Sequence, residues 1–270
     1  MNTHQKFCDF YDNWLSKRPF GPIFQNSLFY LLSNRGKLLR PNLILKVAED
    51  LNVVTENHLL FALSLELHHN YTLIHDDLPC MDNDDIRRGK PTLHKVYGEA
   101  HALLAGDILL AKSFALLNDI HHPNLILLQK IYHYACGSKG LILGQNIDLE
   151  QIHQKLDPPS ILRMFELKTG RLFQLALLGS YLLSEEASEI HIQKKLTRLG
   201  SVCGILFQLL DDYQDWHSDK KSDFNFFRAN ASEAEKVLKT YQEKFENLKN
   251  DLYGRYPNTL DYLSSFLTIS

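Results

Sequence analysis

Asp76-Asp77-Leu78-Pro79-Cys80-Met81-Asp82-Asn83-Asp84-Asp85-Ile86-Arg87-Arg88-Gly89-Lys90 sets five carboxylates and then three cations within fifteen residues. Carboxylates this close either raise one another's pKa or recruit a cation, and hard oxygen donors favour magnesium or calcium over zinc. A calcium loop needs a glycine at its sharp turn and a closing glutamate, and this spacing supplies neither. A solvated acidic loop is the plain reading of an isolated acidic run. The cations that follow favour another: magnesium bridged to a diphosphate, with Arg and Lys taking the remaining oxygens, satisfies both signs of charge.

Upstream, residues 56–78 lead into this cluster and are apolar around much of their circumference, as in Leu59-Leu60-Phe61-Ala62-Leu63. Residues 186–217 share that character, as in Val202-Cys203-Gly204-Ile205-Leu206-Phe207, and also end in aspartates, Asp211-Asp212-Tyr213-Gln214-Asp215. Helices apolar all round belong at the centre of a bundle. Asp211 and Asp215 lie one turn apart and share a face. Elsewhere apolar residues recur at three and four positions and strand-like alternation is nearly absent, so the chain reads as all-α. The expected helices cover roughly residues 4–16, 22–34, 41–50, 56–78, 97–118, 124–154, 159–182, 186–217, 231–252 and 257–268. The nine prolines fall at or near their boundaries, where a missing amide donor costs least.

At 270 residues and 44% hydrophobic composition the chain suffices for one large core or two modest ones, and it is read as a single domain spanning 1–270. A formal net charge of -3 without a basic stripe argues against a nucleic-acid binder. Cys8, Cys80, Cys136 and Cys203 are far apart, which indicates neither a zinc ribbon nor a disulfide framework and fits a reducing, cytoplasmic setting. The N-terminal MNTHQKFCDFYDNW has no apolar signal core, and no stretch is read as approaching the about 20 apolar residues of a membrane span.

Further elements flank the acidic segments in a fixed order. Gly36-Lys37-Leu38-Leu39-Arg40-Pro41 precedes the first cluster, and His69 lies seven residues before Asp76. After the segment Asp76 to His94 come Gly106-Asp107, Gly144-Gln145-Asn146-Ile147-Asp148-Leu149, Lys168-Thr169-Gly170 and Phe207-Gln208-Leu209-Leu210-Asp211-Asp212-Tyr213-Gln214-Asp215. In this order the chain resembles the trans-type isoprenyl diphosphate synthases, and among them the bacterial farnesyl diphosphate synthases, over about residues 27–217.

The resemblance implies an isoprenoid-synthase bundle of about ten helices around a central substrate cavity. It implies magnesium, three ions bound with the diphosphate, with Asp76, Asp82, Asp211 and Asp215 as the ligand set. Asp77 supports the first pair, and Asp212 or Asp215 stands behind Asp211. Arg87, Lys168, Thr169 and Gln208 match contacts to the allylic diphosphate; Lys37, Arg40, His69 and Arg88 match the isopentenyl diphosphate site. Seen singly, Lys37 and Arg40 would pass for surface cations and His69 for a core histidine, so their joint spacing carries the assignment. The implied catalytic set is Asp76, Asp77, Asp82, Arg87, Lys168 and Asp211: the allylic carbon–oxygen bond ionises and the isopentenyl double bond attacks the cation.

Tyr71 and Thr72, five and four residues before Asp76, match the positions that govern chain length, and an aromatic at the former accompanies fifteen-carbon products. Farnesyl diphosphate is therefore the expected product. Geranyl or geranylgeranyl diphosphate synthesis, a class I terpene cyclase and a non-catalytic diphosphate-binding partner subunit are the alternatives. A cyclase has no use for a second diphosphate site, and a partner subunit tolerates loss of an aspartate cluster. After Asp215 the stretch Trp216 to Arg228 is shorter than the family's loop and lacks its glycine–lysine pattern, leaving Lys220, Lys221 or Arg228 as substitutes for its lysine. A homodimer is expected.

Overall fold

The computed structural model describes residues 2–150, 156–185, 187–217, 225–230 and 232–268. Within them the fold is all-α apart from one two-stranded hairpin, and they gather into two compact units. The first runs through Leu45 and resumes over Val54–Leu125. It holds α1 (Thr3–Ser16), α2 (Gly21–Leu32), the start of α3 (Leu39–Asp50), α4 (Glu56–Asp76), β1 (Ile86–Arg87), β2 (Lys90–Pro91), α5 (Leu93–Tyr97) and α6 (Glu99–Leu117). Phe7, Tyr11 and Leu15, four residues apart, form the buried stripe of α1. Helix α4 is enclosed over most of its length, from His58 to Ile74, and lies along α6. Ser64 sits in that seam without cost because its hydroxyl donates to the Ser113 carbonyl at 2.7 Å.

Helix α6 bears on the expectation about membrane spans. By length and composition alone this helix is long and apolar enough to cross a membrane, a test that buried core helices also pass. Its inner face, Ala102, Ala105, Leu109, Ser113 and Leu116, is buried, so part of its apolar character is core packing. The remainder faces outward: Leu103 and Leu104 are 46% and 51% exposed, and Ala111 and Ala115 are exposed beyond them.

The second unit takes Lys46–Val53 and Ile126–Ser270. It contains the end of α3, most of α7 (Leu125–Cys136), then α8 (Leu141–Glu150), α9 (Pro158–Phe165), a π-helical turn at Glu166–Gly170, α10 (Arg171–Leu182), α11 (Ile190–Trp216), α12 (Phe226–Ala229), α13 (Ala234–Leu252) and α14 (Pro257–Leu267). Helix α10 buries eleven of its twelve residues, which makes it more enclosed than α11, the helix the sequence placed at the centre. Phe173, Phe207 and Phe266 pack from α10, α11 and α14 with ring centroids 6.0 to 6.4 Å apart. Asp50, at the end of α3, caps α14 from a distance: its carboxylate accepts the Asn258 and Thr259 amides at 2.9 and 2.8 Å, with Pro257 opening the helix.

The other departures from the sequence reading have local causes. The expected helix over 124–154 divides into α7 and α8 at Gly137-Ser138-Lys139-Gly140, a pair of helix-stopping glycines, and residues 151–155 lie outside the described residues. Gly98, at φ 87°, separates α5 from α6. The hairpin strands are two residues each, too short to alternate. Helix α3 starts at Leu39, with Pro41 inside its first turn, where no amide donor is required.

Candidate active site

Helix α4 ends on Asp76, and Asp77 is its C-cap. The C-terminal end of a helix carries the negative pole of its dipole, so carboxylates there need cations nearby. The chain delivers them by a sharp return. The Asp82 amide donates to the Asp76 carbonyl at 2.8 Å, and β1 and β2 then form a hairpin. Arg88 and Gly89 occupy its two-residue turn at φ 53° and 74°, the positive values a type I′ turn demands.

That turn aims two adjacent arginines at different groups. Arg87 Nε and Nη2 donate to Asp77 Oδ1 at 2.9 and 2.6 Å, and Nη2 also reaches Asp84 Oδ2 at 2.6 Å. Lys95 pairs with Asp85 at 2.7 Å, and the Thr92 hydroxyl closes the segment on the Asp84 carbonyl at 2.8 Å. Burial raises the pKa of Asp77, against the opposing pull of Arg87. Burial also pulls Arg87 down, but Asp77, Asp84 and Asp76 outweigh it and leave the guanidinium above its ordinary value. Asp76 is half-buried and Asp82 exposed.

Arg88 turns the other way. Its Nη1 donates to the Asn34 carbonyl at 3.0 Å and to Asn70 Oδ1 at 3.4 Å. A Cβ at position 36 would lie 2.8 Å from Arg88 Nη2, so the glycine of the Gly36-to-Pro41 element is what leaves room for that guanidinium. Leu38 in the same element is buried at φ 51°, a strained conformation for a leucine, costing about 1 kcal/mol. Lys37 is exposed beside it. Burial lowers Arg40 to about 10, with Glu66 opposing and Arg88 reinforcing the fall. Burial, then Arg40 and Arg88, hold His69 well below the usual histidine range and keep it neutral. Arg40, His69 and Arg88 are thus brought within electrostatic reach of one another. The sequence reading missed Glu66, a buried acid inside an otherwise apolar stretch of α4; that mismatch was the available signal. Tyr71 is 6% exposed, its ring 4.6 Å from His68 and 5.7 Å from His75, and the Thr72 hydroxyl is spent on the His69 carbonyl at 2.8 Å.

In the second unit the π-helical turn carries Lys168 and Thr169. Such turns recur at functional sites because they displace side chains from helical register. A Cβ at Gly144 would stand 2.5 Å from the Lys168 amide nitrogen, and one at Gly204 2.2 Å from Gly170 Cα, so α8 and α11 close on this turn only as glycines. Lys168 Nζ bonds Asp148 Oδ2 at 2.5 Å, a partner the sequence reading had not assigned. Thr169 is buried and Gln208 half-buried.

Asp211 is exposed and Asp215 half-buried on the last turns of α11. Asp212 serves a different end. Its carboxylate accepts the Phe226 amide at 2.8 Å, and its carbonyl accepts Asn225 Nδ2 at 2.7 Å. Burial, followed by the charges of Asp211, Asp215 and Asp148, lifts its pKa to about 7 against the pull of that amide. Trp216 stacks on Phe227 at 5.5 Å, and Arg228 Nη2 donates to the Asp215 carbonyl at 3.3 Å. Lys220 and Lys221 lie outside the described residues; Arg228 lies within them, next to the acidic cluster.

Among the described residues no three His, Cys, Asp or Glu side chains converge on a common point. Magnesium does not require that: it uses one or two carboxylates, several waters and substrate phosphates. The all-oxygen donors of each cluster, taken by itself, fit such an ion, with a diphosphate completing its shell.

The comparisons with known proteins agree on one family. Residues 21–225 match the family described as polyprenyl synthetase. The farnesyl diphosphate synthase of Micrococcus luteus is 39% identical over 188 residues, covering 69% of this chain and 64% of that protein. That of Bacillus subtilis is 37% identical over 196 residues, covering 71% and 66%. The matched stretches thus span just under two thirds of these two relatives. Among solved structures, a geranyltransferase from Helicobacter pylori superposes with a TM-score of 0.84 at 31% identity, covering 98% of this chain and 96% of that one. A second structure of that enzyme, complexed with magnesium and isoprenyl diphosphate, has a TM-score of 0.84 at 30% identity over 98% and 95%.

Proposed function

The chain belongs to the polyprenyl synthetase family, and from that premise we propose that it is a magnesium-dependent prenyltransferase. It joins isopentenyl diphosphate to dimethylallyl or geranyl diphosphate, with farnesyl diphosphate as the main product. The observation that carries this reading is the divergence of Arg87 and Arg88. One hairpin sends a cation to the aspartates and the next cation to the Arg40 cluster, which suits two diphosphates rather than one. A cyclase needs only the first.

Magnesium, three ions in this reading, supplies when bound the positive charge that stabilises a departing diphosphate. Asp76 and Asp82 in the first unit, and Asp211 and Asp215 in the second, are the residues that would hold it. Arg87, Lys168, Thr169 and Gln208 take the allylic diphosphate. Arg87 and Lys168 are already fixed by Asp77 and Asp148, so little reorganisation accompanies binding. Lys37, Arg40, His69 and Arg88 take isopentenyl diphosphate, and a neutral His69 donates a hydrogen bond without adding charge. As the allylic carbon–oxygen bond breaks, the isopentenyl double bond attacks the carbon and the new adduct loses a proton to the released diphosphate. No covalent nucleophile takes part, and water must stay out because it would trap the cation as an alcohol.

Tyr71 limits the growing tail in this reading, supported by its aromatic bulk between His68 and His75. The outer face of α6, with Leu103, Leu104, Ala111 and Ala115, is the surface a second copy would cover in a homodimer. The family match runs through both compact units, which supports a single functional domain over 1–270. The free thiols of Cys8, Cys80, Cys136 and Cys203 support a cytoplasmic setting.

The test is a primer panel: purified protein, magnesium and labelled isopentenyl diphosphate with dimethylallyl, geranyl or farnesyl diphosphate in separate reactions, read as product length. The expected result is a fifteen-carbon diphosphate from the two shorter primers. Failure to elongate any primer rejects the proposal, and hydrocarbon release without isopentenyl diphosphate selects the cyclase.

A further inference from the structure

Glu66 is 3% exposed in the middle of α4, and its helix neighbours Leu63, Leu65 and Leu67 are fully buried. Packing alone would favour an apolar residue there, because a buried carboxylate is tolerated only when paired and hydrogen-bonded. Its hydrogen-bond partner, Asn70, links it to the basic cluster. Burial raises the pKa of Glu66, and Arg40, Arg88 and the Asn70 amide pull against that rise. Asn70, one helical turn on, donates through Nδ2 to Glu66 Oε1 at 3.0 Å and to the Glu66 carbonyl at 2.8 Å. The other end of the same amide, Asn70 Oδ1, accepts Arg88 Nη1 at 3.4 Å. The Asn34 carbonyl and the space left by Gly36 fix the far side of that guanidinium.

We propose that Glu66 is the positioning residue of the isopentenyl diphosphate site: it holds Arg88 through Asn70, beside the buried Arg40. The proposal rests on the prenyltransferase reading above. Two arginines beside a neutral imidazole would repel and splay without an anion among them. One buried carboxylate offsets one of the two charges, so the pair stands at a fixed separation and still presents net positive charge to an incoming diphosphate. The carboxylate itself never meets the substrate. It acts through the geometry of its two cations, as the outer partners of a metal ligand act through that ligand.

The experiment compares wild type with Glu66→Gln and Asn70→Ala, measuring kcat, the KM for isopentenyl diphosphate and the KM for geranyl diphosphate. Glu66→Gln keeps the shape and removes the charge; it is expected to raise the isopentenyl KM about tenfold while the geranyl KM stays within about twofold. Asn70→Ala cuts only the relay and is expected to raise the isopentenyl KM about threefold. An isopentenyl KM unchanged in a folded variant overturns the proposal, and so does an equal rise in both KM values, the mark of general loosening. If Glu66→Gln does not fold, Asn70→Ala decides by the same criterion. A wild type that elongates no primer rejects the prenyltransferase reading and this role of Glu66 with it; a working wild type beside unaffected variants rejects the role alone.

Discussion

The two aspartate clusters are alike in composition and unlike in construction. The first, at the end of α4, is built by its own neighbourhood: Asp77 and Asp84 share Arg87, Asp85 takes Lys95, and Thr92 closes the segment, all within twenty residues. The second, at the end of α11, is built by other elements. Asp212 ties down Phe226, Arg228 reaches back to Asp215, and the cation assigned to the same substrate, Lys168, arrives on a π-helical turn held by Asp148. The contrast is between a site assembled by local chain geometry and one assembled by packing. A local site tolerates change elsewhere in the fold, whereas a packed one depends on each element that shapes it.

The largest expected effect tests whether the clusters nonetheless share one function. Asp76→Ala and Asp211→Ala should each lower kcat by about a thousandfold or more, with the thermal midpoint nearly unchanged because neither side chain is core. Steady-state kinetics and a melting curve check this, and full activity in either variant would separate the clusters. Asp212→Asn sharpens the contrast: it keeps an acceptor for the Phe226 amide, so a loss of only about tenfold is expected. A loss equal to that of Asp211→Ala would make Asp212 a ligand instead of an anchor.

Below the thousandfold effects of the aspartate substitutions comes the division between the two arginines of the hairpin. Arg87→Ala should raise the KM for the allylic substrate and Arg88→Ala the KM for isopentenyl diphosphate, each by about thirtyfold or more, as expected for lost guanidinium–phosphate pairs. If both substitutions shift both constants together, the hairpin serves one diphosphate. Tyr71→Ala should change rate least and product most, giving chains beyond fifteen carbons in chromatography of dephosphorylated products. An unchanged distribution would leave Tyr71 as a core aromatic only.

The smallest effect concerns stability in the first unit. Burial holds His68 down to about 3, aided by Arg40, and holds His69 well below the ordinary value near 6.5. The unfolded chain therefore binds more protons than the folded one once pH drops below about 6.5, so stability is lost as pH falls. For His68 this amounts to about 2 kcal/mol between pH 6.5 and 5. Denaturant midpoints of the metal-free protein should fall over that interval, and His68→Gln should flatten the decline. A profile flat from pH 7 to 5 would show that these imidazoles titrate normally.

Legibility in the sequence followed the same division. Helical period, proline placement and the acidic ends of residues 56–78 and 186–217 were readable because each is a property of contiguous residues. Asp76, Asp82, Arg87 and Arg88 announced themselves by spacing. Glu66, Asp148 and the restraint on Asp212 did not, since each gains its meaning from a partner brought near by folding: Arg40, Lys168 and the Phe226 amide. The π-helical turn was hidden because Glu166 to Gly170 continues the helical pattern on either side. The hairpin was hidden for the opposite reason, its strands being too short to show any pattern.

The most direct test of chain joining is the release of diphosphate from geranyl diphosphate at saturating magnesium, measured with and without isopentenyl diphosphate. Release is expected only when both substrates are present, one diphosphate for each fifteen-carbon product formed. Release from geranyl diphosphate alone at a comparable rate, or none under either condition, would contradict chain joining.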